Sequence, residues 1–185
     1  MTNKLKYFIG NWKMFGDFSS LKIIYQIHRF CGSFKKCLKK NKIILCVPAT
    51  LIYYFNTKLK SKFISVGAQN CHFHKTYGPF TGSVSASMLK NAGAKYVILG
   101  HSENRTEGDT NRLIKKKIES ALNQKLNIIF CIGETFEEKR DGKTLSILKS
   151  QIKGSIKKNM ILRKLLLLMN QFGQLELAKF QRFKN

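Results

Sequence analysis

The sequence predicts an α/β fold in which buried parallel strands alternate with helices. Short, continuously apolar runs are followed by stretches of helical period, a succession typical of parallel sheets with helices packed against them. Polar side chains also cluster directly after the apolar runs, where ligands bind in such folds. The sequence has no glycine-rich phosphate loop after an early strand, which favours a β/α barrel over an open doubly wound sheet, although periodicity alone does not exclude the open sheet.

The strands are predicted from apolar runs of five or six residues. The first run ends in the polar residue Asn11, and the second is stopped by Pro48. In chain order the predicted strands are Tyr7–Asn11, Ile43–Val47, Phe63–Ala68, Tyr96–Gly100 and Ile128–Ile132.

The helices are predicted from the spacing of apolar residues and from their terminal residues. Asp17 or Ser19 caps the first helix, and a glycine ends the short second one. In chain order they are a helix that carries Leu21, Ile24, Ile27 and Phe30, then Met88–Gly93, Thr110–Asn123 and Thr144–Ile156.

The charge of the chain is strongly positive, because 34 lysines and arginines face only 10 acidic residues in 185 residues. A net charge of +24 can attract nucleic acid, an anionic membrane surface or an anionic substrate. The lysines are scattered in short groups such as Lys115–Lys117, and no nucleic-acid motif or interleaved aromatics accompany them. We therefore interpret them as residues of solvated helix faces and expect no nucleic-acid partner.

The apolar runs are too short to span a membrane, and the N-terminus does not resemble a signal peptide. The five cysteines show no paired spacing, and Cys46 and Cys131 lie inside predicted strands. This pattern predicts buried thiols in a reducing compartment, the cytoplasm, and no membrane partner.

Three segments that end predicted strands carry the chemistry: Gly10–Met14, Val97–Arg105 and Cys131–Thr135. Two more, Gly67–Asn70 and Gly78–Ser85, lie between them. In this order and spacing, the segments resemble the triosephosphate isomerase family from residue 7 to about residue 159. The resemblance implies an α/β fold that is an incomplete TIM (β/α)8 barrel, with the first five to six β/α units and residues 1–159 as the N-terminal part of one domain.

The resemblance also implies an activity of glycolysis and gluconeogenesis, the interconversion of dihydroxyacetone phosphate and D-glyceraldehyde 3-phosphate through an enediolate. His101 matches the family's neutral electrophile, and Lys13 matches the lysine that attracts the phosphate and the oxyanion. Asn11 is the matching positioning amide, Glu103 the carboxylate that interacts with Lys13, and Ser102 helps to orient the histidine region. The family implies a homodimer through the loop around Thr81, a phosphosugar substrate, and no cofactor or metal.

The C-terminal tail departs from the family. The family's general base is a glutamate in a segment of the type Tyr-Glu-Pro-Val/Ile-Trp-Ala-Ile-Gly-Thr-Gly-Lys, which also contains the closing lid. Residues Leu167–Lys179 stand in its place and lack this pattern. We expect residues 160–185 to be largely disordered, with Leu165–Met169 forming a sixth strand or a short helix.

A shift of the reading frame by one base would restore the missing segment. The codon that bridges Met169 and Asn170 must then be GAA, for glutamate, and the following bridges permit proline, tryptophan and the lid residues. We hypothesise that one base was lost near Lys157–Asn159, in the gene or in its sequencing.

Three functional hypotheses remain. The chain is a triosephosphate isomerase, or a catalytically inactive frameshifted remnant without base and lid, or a basic protein that binds nucleic acid or anionic surfaces.

Overall fold

The structure, a computed structural model, describes residues 6–33, 41–59, 61–157, 160, 164–169 and 180–181. Its centre is a sheet in which six parallel strands are neighbours in the order of the chain. A doubly wound sheet reverses its strand order at a switch point, so this order excludes that alternative and confirms the incomplete barrel. The strands are β1 (Lys6–Asn11), β2 (Asn41–Cys46), β3 (Ile64–Ala68), β4 (Tyr96–Leu99), β5 (Asn127–Ile132) and β6 (Leu165–Met169).

The sixth strand comes from the apolar run of the tail, where the sequence allowed either a strand or a helix. Leu166 aligns with Ile129 and Leu168 with Cys131, so β6 continues the parallel register of β5. A two-residue strand, β7 (Phe180–Gln181), pairs antiparallel with β6. The predicted disorder elsewhere in the tail, and the bridging position at Asn170, lie outside the described residues.

Seven α-helices accompany the strands in the described part of the chain, and the four predicted ones are among them. A 3-10 turn at Phe18–Ser20 precedes the first helix, and Asp17 rather than Ser19 caps that turn, because its carboxylate accepts the backbone N–H groups of Ser19 and Ser20. The helices are α1 (Leu21–Ser33), α2 (Ala49–Lys58), α3 (Ala86–Asn91), α4 (Ser102–Thr106), α5 (Asn111–Asn123), α6 (Phe136–Arg140) and α7 (Thr144–Ser155).

The main core lies between the sheet and the helices. Phe55 of α2, Ile114 and Ile118 of α5 and Phe130 of β5 are fully buried there. A second, smaller cluster covers the inner face of the sheet and contains Cys46 and Cys131, both buried and free. The predicted burial of these two thiols is therefore confirmed. No helix in the described ranges is long and apolar enough to cross a membrane.

Candidate active site

The candidate site is built at the carboxyl ends of β1, β3 and β4. Asn11 is the last residue of β1, Gln69 directly follows β3, and His101 comes two residues after the end of β4. Parallel strands end at the same edge of a sheet, so residues far apart in the sequence meet there. Three of the predicted site residues, Asn11, Lys13 and His101, lie at this edge.

Lys13 has an unusual backbone conformation, with φ at +51°. This left-handed conformation costs an L-residue about 1–2 kcal/mol and is held only where the surroundings fix it. The Lys13 N–H donates to Asn11 Oδ1 at 3.0 Å, and the Lys13 carbonyl accepts from Gln69 Nε2 at 2.7 Å. Two neighbouring amide side chains therefore hold both polar groups of the Lys13 backbone.

The Lys13 side chain reaches across the site to Glu103, where Nζ lies 2.9 Å from Oε1. The hydrogen bond from Lys13 is the main cause that lowers the pKa of Glu103; burial opposes this shift, and electrostatic interaction with the neighbouring His101 and Lys13 lowers the pKa further. Both partners of this ion pair remain about half exposed. The pair is therefore accessible to an anion arriving from solvent.

His101 forms the N-cap of α4 and is buried. Its Nδ1 accepts the backbone N–H of Glu103 at 3.3 Å, and Glu103 Oε2 lies 3.5 Å from the same nitrogen. A ring nitrogen that accepts a hydrogen bond carries no proton, so we assign the proton of the neutral ring to Nε2. This tautomer makes Nε2 a hydrogen-bond donor.

Ser102 starts α4, and its carbonyl accepts the hydroxyl of Thr106 at 3.1 Å. Its effect on the histidine region stays a prediction. Glu134, two residues after the end of β5, is buried and accepts a hydrogen bond from Thr144 at 3.3 Å, a contact that suits a structural role.

Two residues of this region were not assigned from the sequence, Gln69 and Arg105. Arg105 Nε donates to the carbonyl of Gly100 at 2.8 Å, and Nη1 donates to Asn111 at 2.8 Å. Burial lowers the pKa of Arg105. The guanidinium thus fixes Gly100, the residue just before His101. Arg105 lies one helical turn after His101, and this spacing in the sequence could have indicated its role.

A second ion pair joins Lys117 of α5 to Asp109, which lies between α4 and α5, and Asn70 of the loop after β3 also contacts Lys117. Lys117 Nζ lies 2.7 Å from Asp109 Oδ1 and 3.0 Å from Asn70 Oδ1, and both charged residues are buried. The interpretation of the Lys115–Lys117 group as solvated lysines is wrong for Lys117. Lys117 shares the inner face of α5 with Ile114, Ile118 and Ala121, and Asp109 compensates its charge.

The loop around Thr81 borders a cleft of about 370 Å³ that Asn70, Ser83 and Lys117 help to line. Thr81 and its neighbour Gly82 are exposed, and the ring of Phe80 packs 4.3 Å from that of His72. The predicted dimer contact at this loop stays a prediction.

Among the described residues, no three His, Cys, Asp or Glu side chains are grouped so that they could hold a metal ion. The expectation of a reaction without metal or cofactor remains an expectation.

Comparison with known proteins identifies relatives over most of the chain. The sequence model described as triosephosphate isomerase matches residues 6–167. The chain is 40% identical over 158 residues to triosephosphate isomerase of Bartonella henselae, a match that covers 84% of this chain and 61% of that protein. It is 39% identical over 158 residues to the protein of the same name from Bradyrhizobium diazoefficiens, with the same two coverages.

A solved structure agrees with these relatives. The crystal structure of triosephosphate isomerase from Bartonella henselae superposes with a TM-score of 0.81 at 36% identity, covering 89% of this chain and 67% of that chain. The chain spans about three-fifths of the length of the curated relatives it matches.

Proposed function

This chain belongs to the triosephosphate isomerase family, and on that premise we propose that it serves the interconversion of dihydroxyacetone phosphate and D-glyceraldehyde 3-phosphate. The observation that carries the proposal is the convergence of Lys13 and His101 on Glu103 at one edge of the sheet. An accessible cation and a buried neutral donor side by side suit a substrate that carries a phosphate and develops an oxyanion.

Each residue has a distinct part in the proposed reaction. His101 donates from Nε2 to the oxygen of the enediolate as its negative charge develops, an interaction that strengthens in the transition state. Lys13 attracts the phosphate and the oxyanion, and Glu103 holds its ammonium in place. Asn11 keeps the Lys13 backbone in position and lines the substrate site. Ser102 supports the start of the helix that His101 caps.

The reaction also needs a base that removes the carbon-bound proton. The family's Tyr-Glu-Pro segment is absent from Leu167–Lys179, and we assign no residue of this chain as the base. Loss of a general base usually lowers turnover by about 10²–10⁴-fold. For this reason an inactive remnant is the second candidate function. Under the reading-frame hypothesis, the remnant is an isomerase whose base was lost through the frameshift.

The decisive experiment compares three chains in a coupled isomerase assay. They are the 185-residue chain, a chain with one base restored near codon 157, and the restored chain with His101→Gln. We expect the restored chain to exceed the first by at least about 10²-fold. We expect His101→Gln to lose about 10²–10³-fold, as for a lost oxyanion donor.

The matched control is His28→Gln in the restored chain, because His28 lies on α1 and its described contacts, with Ser61 and Phe63, do not include Lys13, His101 or Glu103. It should retain activity. An inactive restored chain would refute the proposed activity, and full activity of the 185-residue chain would refute the need for the frameshifted base. Sequencing the gene through this region tests the reading frame itself.

We further propose that the protein acts in the cytoplasm as a homodimer. The exposed loop that contains Tyr77, Thr81 and Gly82 supports the contact, and the buried free thiols fit a reducing compartment. Sedimentation should show that Thr81→Glu shifts the protein towards the monomer. Thr57→Glu, which adds the same charge to an exposed threonine of α2, should not.

Binding of nucleic acid or of an anionic surface is the remaining functional hypothesis. The buried pairing of Lys117 removes one lysine from any such surface. Steeply salt-dependent binding of the chain to duplex DNA, without binding of a phosphosugar, would favour that hypothesis instead.

A further inference from the structure

Gln69 reaches from the end of β3 across the edge of the sheet to the segment after β1. Its Nε2 lies 2.7 Å from the Lys13 carbonyl, 3.2 Å from Asn11 Oδ1 and 3.2 Å from the carbonyl of Cys46. A primary amide has two hydrogens for these three acceptors. We assign one hydrogen to the short contact with the Lys13 carbonyl and the other to the two longer contacts, which share it.

Two of these three bonds involve Lys13 or the Asn11 oxygen that accepts its N–H, and Lys13 has a left-handed backbone conformation. Lys13 is one of two non-glycine residues with positive φ in the described part of the chain. The direction in which its side chain leaves the backbone follows from that conformation. A change of this backbone conformation would change the direction of the side chain, whose ammonium now contacts Glu103 at 2.9 Å.

We propose that Gln69 is a positioning residue, which holds Lys13 in its left-handed conformation and thereby directs the lysine ammonium to Glu103 and to the substrate phosphate. The phosphate part rests on the proposed function. The link from Gln69 through Lys13 to Glu103 is a property of the folded chain and can be measured without turnover.

A purely structural role is the competing explanation, because Gln69 also bonds Cys46 and so joins β2 to the loop after β1. The two roles differ in one observable. A structural amide changes stability and leaves the titration of Glu103 alone, whereas a positioning amide changes that titration through the Lys13 contact.

Gln151 is the matched control for this distinction. It is a buried amide of α7 that accepts from the N–H of Gly133 at 3.0 Å and donates to the carbonyl of the same residue at 2.8 Å. It therefore also fastens the chain just after a strand, here β5, but none of these bonds involves Lys13 or Glu103.

The experiment follows the side-chain carboxyl carbon of Glu103 by NMR titration in the intact 185-residue chain. The variants are Lys13→Ala, Gln69→Met and Gln151→Met. We expect Lys13→Ala to raise the pKa of Glu103 towards its ordinary value, because its largest lowering contact is lost. Gln69→Met should produce most of the same rise, while Gln151→Met leaves the titration at the position of the unsubstituted chain.

An unchanged Glu103 titration in folded Gln69→Met would overturn the proposal, and so would an unchanged titration in Lys13→Ala. If Gln69→Met does not fold, Gln69→Asn takes its place, since it keeps an amide but is one methylene too short to reach Lys13. An isomerase assay in which the restored chain shows no activity would refute the proposed function and leave this result standing.

Discussion

Two lysine–carboxylate pairs in this molecule have nearly the same chemistry and opposite surroundings. Lys13 and Glu103 meet at 2.9 Å with side chains that are 44% and 54% exposed. Lys117 and Asp109 meet at 2.7 Å with side chains that are 9% and 7% exposed. Each lysine also has a nearby asparagine at the end of a strand: Asn11 is the last residue of β1, and Asn70 lies two residues after the end of β3.

The difference between the pairs teaches that burial, not residue type, separates a binding site from a structural contact. An exposed ion pair contributes about 0–1 kcal/mol to the free energy of unfolding. Its lysine can therefore exchange the carboxylate for a phosphate at little cost. A buried pair has lost its hydration, and each charge depends on its partner. Lys13 is therefore suited to a ligand, and Lys117 is committed to the fold.

The largest expected effect is on stability, at Asp109. Asp109→Ala leaves the buried Lys117 ammonium without its carboxylate, and we expect the free energy of unfolding to fall by about 3–5 kcal/mol. Glu103→Ala, the matched change at the exposed pair, should cost at most about 1 kcal/mol. Urea denaturation of both variants measures the contrast, and equal losses would contradict it.

The second effect separates a lost charge from a lost contact at the buried pair. Replacement of both partners, as Asp109→Leu with Lys117→Met, removes both desolvated charges at once. We expect this double variant to recover at least about 2 kcal/mol relative to Asp109→Ala. A double variant as unstable as the single one would show that the buried pair matters through shape and not through charge.

The third effect concerns anion binding at the exposed pair. We expect Lys13→Met to weaken the binding of inorganic phosphate about tenfold, because the substitution removes the accessible cation of the site. Lys22→Met removes the same charge from an exposed position of α1 and should have little effect. Titration calorimetry at low salt decides between a local site and the general attraction of a +24 chain, which would weaken equally in both variants.

The smallest effect is the pH dependence of the exposed pair. The pKa of Glu103 is lowered in the folded chain, mainly by the Lys13 hydrogen bond, so its contribution to stability is present above the ordinary glutamate pKa and is lost as the pH falls through the folded value. The difference in unfolding midpoint between the unsubstituted chain and Glu103→Gln should be constant near neutral pH. It should shrink below about pH 4.5. A difference that grows on acidification would contradict the assigned sign.

The sequence predicted the strands well, because a continuous apolar run is a direct consequence of burial in a parallel sheet. The second strand shows the limit of this approach. Its predicted range Ile43–Val47 and its observed range Asn41–Cys46 differ because pairing with β1 extends to the polar residue Asn41.

Three helices were missed for identifiable reasons. Helix α2 follows Pro48 directly and is rich in aromatic and β-branched residues, so its local pattern resembles a strand. Helices α4 and α6 have five residues each, too few for a helical period to be recognised.

In the candidate site, too, features that depend on neighbouring residues could be predicted from the sequence, whereas contacts between distant residues could not. Lys117 could have been recognised, because it falls at the helical spacing of Ile114, Ile118 and Ala121 on the buried face of α5. The contact of Gln69 with Lys13 joins residues 56 positions apart and left no local pattern.

The sequence by itself determined the alternation of strands and helices, the burial of the cysteines in the strands, and the polar residues that follow most of the strands. These features depend on periodicity and on neighbouring residues, which a sequence contains directly. Only the tertiary structure decided that Lys13 meets Glu103 in solvent, that Lys117 meets Asp109 in the interior, and that Gln69 holds the backbone of Lys13. The reason is physical: the parallel register brings the strand ends to one edge, where residues from distant segments fix each other's exposure, charge and direction, and the packing of α5 into the main core buries Lys117 with Asp109.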